Sequence, residues 1–378
     1  MKTILKVLAA GVVASVAMSA RAELTIGVVL SLTGPASGLG IPVNNGFKLW
    51  PDTIGGEKVK MIVLDDATDP STGVKNARRL VTDDKVDVIL GSSTTPISVA
   101  MADVATESGT LQIAISPPPL PPGKDTWTFR MAHSATVIAH PMVAHMKRNG
   151  VKTVGFLGYI DAYGESWLKE FGAVAKQAGL EVTAVERFQR TDTSVTGQAL
   201  KLVGANTDAI LVVASGSGAA MPHRALVERG YKGKIYQTHA AASRDLMRVG
   251  GKDVEGGYVV SGPATVAEQL PDTNPSKKAA LDYVQKYDKV YGAGMRNQFA
   301  AHAYDTLVVL QKVVPMALQK GKPGTKEFRA ALRDAMENIG PLPVSQGVLN
   351  FTKTDHWGFT NDSAVVLKVV NGDWEVQK

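Results

Sequence analysis

A chain of 378 residues with 44% apolar and 20% charged side chains can enclose a large interior, and beyond about 250 residues an interior usually divides in two. The absence of cysteine excludes disulfides, thiolate nucleophiles and thiolate metal sites. The formal charge of +6 is spread along the chain without a block of one sign, so neither a nucleic-acid surface nor an anionic-membrane patch is expected.

The first segment carries Lys2 and Lys6, an apolar run from Val7 to Met18, and the triplet Ala20-Arg21-Ala22. This is the pattern of a secretory signal peptide (residues 1–22), cleaved after Ala22. The alternative, a membrane anchor, would need about 20 apolar residues. Losing Lys2, Lys6 and Arg21 lowers the charge from +6 to +3. With no cysteine to carry a lipid tether, the product is expected in an oxidising compartment such as the periplasm, without stable membrane insertion.

Strand-like and helical segments then alternate. "LTIGVVL" (24–30), "KMIVL" (60–64), "VDVIL" (86–90) and "LQIAI" (111–115) are separated by segments such as "TGVKNARRLVTDD" (72–84), which predicts a parallel sheet. The pattern restarts with "TVGFLGY" (153–159), "EVTAVERF" (181–188), "DAILVVAS" (208–215), "KIYQT" (234–238) and "EGGYVVSG" (255–262). Two successive runs of βα units predict two similar α/β lobes. Residues 274–321 are helical by apolar spacing, and 347–376 read as short strands and turns.

Ligands of open parallel sheets sit beyond the carboxyl ends of the strands. The residues there are small and hydroxylic: Ser31, Thr33, Gly34 and Pro35; Gly91, Ser92, Ser93, Thr94 and Thr95; Ser116; and Ser215, Gly216, Ser217 and Gly218. In "VILGSSTTPIS" (88–98), Thr95 is expected to cap a helix and Pro96 to occupy its first position. Ile97, Met101, Val104 and Ala105 follow at helical spacing. Such a helix start, with hydroxyls from Ser93 to Thr95, can hold a carboxylate without a formal positive charge; it is equally consistent with a well-capped helix alone.

Catalytic and cofactor motifs fail on spacing. "ASGSGAA" lacks the glycines two residues either side of Ser217 that a nucleophile elbow requires. Gly38-x-Gly40 is followed by Val43 where a dinucleotide site needs glycine. His140 and His145 are five residues apart and do not share a metal-binding helix face. Asp65, Asp66 and Asp69 lack calcium-loop spacing and read as solvated strand-end residues. No cofactor and no metal site is expected.

"IGVVLSLTGPASGLG", "DDATDPSTGVKNARRLVTDDKVDVILG", "ISPPP", "DAYGESWLKEF" and "AYDTLVVL" occur in an order and at separations that resemble the periplasmic branched-chain amino acid binding proteins of ABC importers. The resemblance covers nearly the whole mature chain. It implies two Rossmann-like lobes joined by three crossing segments, a solute held between them, an ABC permease as partner, and no catalysis. The implied lobes are residues 23–135 with 266–342, and 136–265 with 343–378, in a monomer.

Carried over by motif, Thr95 falls at the family's carboxylate-binding serine and Tyr163 at its ligand-facing tyrosine. Leu120 stands where the family has a threonine, and Leu39 and Ser215 stand near positions that carry aromatic rings. These departures imply a roomier, less polar pocket. In "IYQTHAAAS", His239 falls where amino-acid binders place the glutamate that pairs with the ligand ammonium. An imidazole offers an ammonium no Coulomb attraction, so an aromatic or oxo acid is expected rather than an α-amino acid. The expected ligand-contacting residues are Leu39, Ser93, Thr94, Thr95, Ser116, Leu120, Tyr163, Ser215 and His239. A secreted α/β hydrolase, using Ser217, is the competing reading.

Overall fold

The computed structural model describes residues 23–377, so the expected signal peptide lies outside the described residues. The first sheet is built from β1 (Leu24–Leu30), β2 (Thr53–Ile54), β3 (Glu57–Asp65), β4 (Val88–Gly91), β5 (Leu111–Ala114) and β6 (Thr128–Arg130), in the order β2-β3-β1-β4-β5-β6. All its pairings are parallel except that of the short β2 with β3. Between these strands run α1 (Ser37–Phe47), α2 (Pro70–Thr82) and α3 (Thr95–Ser108).

The second lobe repeats the plan. It contains α4 (Ala135–Arg148), β7 (Thr153–Tyr159), α5 (Ala162–Gln177), β8 (Glu181–Phe188), α6 (Thr196–Gly204), β9 (Ala209–Val213), α7 (Ala220–Glu228), β10 (Lys234–Gln237), α8 (Arg244–Gly250) and β11 (Tyr258–Ser261). Then come α9 (Lys277–Tyr291), α10 (Gln298–Leu318), α11 (Lys326–Glu337), a hairpin of β12 (Leu342–Val344) and β13 (Gly347–Leu349), and the antiparallel β14 (Val365–Val370) and β15 (Asp373–Gln377). The second sheet runs β15-β14-β11-β10-β9-β7-β8. In each lobe the strand order reverses beside the first long strand, at β1/β4 and at β7/β9, and such switch points open crevices at strand ends.

Burial explains which strands are central. β4, β5 and β9 are fully buried and apolar except for Gln112 of β5, as strands covered on both faces by helices must be. β8, at an edge, alternates exposed and half-buried residues. α2 starts where the sequence supplies both signals: Asp69 accepts from Thr72 N at 2.7 Å, and Pro70 fills the first position, which needs no donor. Asp69 is therefore a cap. Its neighbour Asp66 is buried and accepts from Ser92 Oγ at 2.6 Å, so of the aspartates expected to be solvated this one is internal, tying the end of β3 to the loop after β4.

The interior forms one cluster around the second sheet and one on each face of the first. α9 packs with the second sheet through Ala280, Tyr283, Val284 and Tyr287, and α10 begins there at Ala300 and Ala301 but ends in the first lobe at Val313 to Ala317. Val344, Leu349, Phe351 and Phe359 also belong to the first lobe's interior. The expected cuts at 266 and 342 thus differ from the division of the core: the chain crosses between Arg130 and Ala135, at the start of α10, and after Phe359. Near these crossings, His133 Nε2 lies 2.8 Å from the Gln346 carbonyl, Gln346 Nε2 donates to the Gln298 carbonyl at 3.3 Å, and Ser261 Oγ donates to Gln298 Oε1 at 2.9 Å.

Candidate functional site

Between the lobes lies a cavity. The carboxyl ends of β1, β4, β5 and β6 in the first lobe and of β7, β8, β9 and β10 in the second contribute to its wall. Leu39 follows β1, Ser93, Thr94 and Thr95 follow β4, and Ile115, Ser116 and Pro117 follow β5; from the second lobe come Tyr163 after β7, Arg190 after β8, Ser215 after β9, and His239 and Ala240 after β10. Ala132 follows β6, and Gln298, Phe299 and His302 enter from the first turns of α10. The lobes meet beside it, where Leu39 Cδ1 lies 3.2 Å from the point a Cβ on Gly216 would occupy.

Eight of the nine expected residues line this cavity: Leu39, Ser93, Thr94, Thr95, Ser116, Tyr163, Ser215 and His239. Leu120 does not. Pro117 takes its place in the wall, and the following prolines, with Pro118 O held by the buried Arg130 Nε at 2.9 Å, carry the chain away.

Helix α3 begins one residue earlier than expected. Thr94, extended at φ −120° and ψ 143°, is the cap, Thr95 is the first helical residue and Pro96 the second. The first bond of this helix is Ser98 N to Thr94 O at 3.0 Å, so the amides of Thr95 and Ile97 precede it. Thr94 Oγ1 is buried without a partner. Two other hydroxyls are held in place: Ser31 N donates to Ser93 Oγ at 3.2 Å, and Ser116 Oγ donates to Ser98 Oγ at 2.8 Å.

The opposite wall carries a cation that the strand-end reading passes over. Arg190 Nε donates to Asp161 Oδ2 at 2.6 Å, its Nη1 donates to Ser215 Oγ at 3.0 Å, and its guanidinium lies 4.1 Å from the centroid of the Tyr159 ring. Asp161 also caps α5, accepting from Tyr163 N and Gly164 N. Tyr163 OH shares a 2.7 Å hydrogen bond with Thr238 Oγ1, and burial raises its pKa further above the usual phenol range. Tyr163 is thus a wall with its hydroxyl already engaged.

His239 and His302 are buried with Nδ1 unpartnered. Burial drives His239 well below its usual pKa, and the nearby His133 and His302 add to this. Burial and His133 lower His302 to about 3, against the Met131 carbonyl, which favours its charged form. Both are neutral near pH 7. No aspartate or glutamate lines the cavity among the described residues. Its three serines bond to Ser31, Ser98 and Arg190, with no imidazole among these partners, and Ser217 is exposed outside it.

A family model described as periplasmic binding protein matches residues 23–373. The chain is 24% identical over 356 residues to Leu/Ile/Val-binding protein homolog 3 of Brucella melitensis, covering 89% of each chain. An extracellular ligand-binding receptor from Rhodopseudomonas palustris is 47% identical, with a TM-score of 0.93 over 95% of this chain and 100% of that one. At 17% identity, where likeness concerns the fold alone, a solute binding protein of an ABC transporter from R. palustris, solved with benzoate, gives a TM-score of 0.78 over 94% of this chain and 95% of that one.

Proposed function

Since the chain belongs to the periplasmic binding protein family, we propose that it captures a small organic carboxylate between its lobes and delivers it to an ABC permease, with aromatic acids favoured over branched-chain amino acids. The observation that carries this reading is the charge of the wall: Arg190, neutral histidines and hydroxyls, with no carboxylate. A ligand carboxylate gains donors from the start of α3 and from the hydroxyls of Ser93, Thr94 and Thr95. A ligand ammonium finds no counter-charge, and burying one unpaired costs several kcal/mol. The hydrolase reading gains no support, because it needs a serine beside a base and the cavity serines have other partners.

Calorimetry of the mature protein with paired ligands tests this. Phenylpyruvate is expected to bind more tightly than phenylalanine, and 4-hydroxybenzoate more tightly than leucine. Micromolar binding of leucine or valine, with no response to any deaminated acid, overturns the ligand class and leaves the receptor.

A further inference from the structure

Two unmet polar atoms share one face of α10. Gln298 and His302 are four residues apart, each at most 1% exposed, and both line the cavity. Gln298 Oε1 is taken by Ser261 Oγ at 2.9 Å, and its Nε2 has no partner, so the amide presents N–H donors. His302 Nδ1 has no partner. In the ring tautomer that carries its proton on Nε2, Nδ1 presents a lone pair. Among the buried polar atoms without partners, these two occur in adjacent turns of one helix, in the wall of one cavity.

We propose that Gln298 and His302 together read a hydroxyl group on the ligand, whose oxygen accepts from Gln298 Nε2 and whose hydrogen is donated to His302 Nδ1. A second carboxylate, an ammonium or an ether satisfies at most half of the pair. A second carboxylate has no donor and sets its charge against the Nδ1 lone pair. An ammonium can donate to His302 but accepts nothing from Gln298, and an ether only accepts. The ligand class narrows from a small organic acid to a hydroxy acid, which rests on the carboxylate reading above.

The test is calorimetry of the mature protein with 3- and 4-hydroxybenzoate against benzoate and the two methylbenzoates, which match the hydroxyl in size. The aliphatic pair 2-hydroxy-4-methylpentanoate and 4-methylpentanoate extends the series. At least one hydroxy acid is expected to bind about 10- to 100-fold tighter than both its parent and its methyl isostere, because the shorter ligands leave both protein groups unpaired. In His302→Phe and in Gln298→Met, either of which suffices if the other does not fold, that ratio falls toward one. Equal binding of hydroxylated and parent acids by the unaltered protein overturns the hydroxyl reader and leaves the carboxylate reading standing. Binding of no acid overturns both.

Discussion

Thr95 is almost fully buried in the cavity wall, at the first helical position of α3 beside the buried, unpaired hydroxyl of Thr94. If this corner holds the carboxylate, Thr95→Ala weakens binding by about 1–3 kcal/mol, the range for a hydrogen bond to a charged group, while the melting temperature changes less. Titration of the variant checks this, and unchanged affinity moves the carboxylate to Ser93, Ser116 or Arg190. Residues such as Thr95 and Ser215 are legible as cavity lining because strand ends are marked by an abrupt change from apolar to small polar side chains, whereas His239 is singled out only by the family resemblance. Arg190 is not legible: it lies in "QRTDTS", which has the composition of a solvated turn, and only the fold brings Asp161 and Tyr159 beside it. Gln298 and His302 were hidden differently, inside a helix whose apolar spacing marks it as interior.

At the scale of elements, the two lobes use the same close approach of helix to strand. A Cβ on Gly40 of α1 would lie 2.1 Å from Ser31 O, just after β1, and one on Gly164 of α5 would lie 1.8 Å from Tyr159 O, the last residue of β7. Neither contact can relax by a side-chain rotation, because the obstacle is backbone. Gly164→Ala is expected to destabilise the protein by about 1–3 kcal/mol through overpacking and to weaken ligand binding as well, since α5 carries Tyr163 into the cavity; thermal melting and titration of the same sample check both. The alternation of strands and helices was legible almost to the residue at β1, β7 and β8 because central and edge strands obey different, simple burial rules. The segment holding α11 and β12 is given no secondary structure by the sequence, and its place in the first lobe's interior is set by long-range packing of Phe328, Leu332 and Val344.

The whole molecule carries several buried histidines that fold as neutral groups. Burial lowers His133 to about 4, His223 to about 4 and His302 to about 3, and His239 lies well below its ordinary value. In the unfolded chain each takes a proton near pH 6.5, while in the folded protein His133, His223 and His302 resist doing so until about pH 3–4, and His239 resists as well. Their stabilising contribution is complete above pH 6.5 and is lost progressively as the pH falls toward 4. Asp305, raised to about 7 by burial against the Ser345 and Gln346 amides, works in the opposite sense, as do the more weakly raised Asp66 and Asp87. The histidines outweigh them, so calorimetric melting temperatures are expected to fall by several degrees between pH 7 and pH 4.5; a constant or rising value contradicts this balance. The two-lobe plan was legible from the repeat of βα units, but the route of the crossings was not, because α10 changes interior partway along its length without any break in its apolar pattern.

Gln298 occupies two places at once: its side chain lines the cavity, and its amide oxygen and carbonyl are hydrogen-bonded to Ser261 and Gln346 beside the crossings. If the lobes close on the proposed ligand, occupancy and lobe angle are thermodynamically linked through this residue. Whatever biases the lobe angle rescales the apparent affinity by the fraction of molecules that are binding-competent, and by reciprocity the ligand biases the angle to the same extent. A membrane partner that grips both lobes would read whether the protein is loaded without touching the ligand.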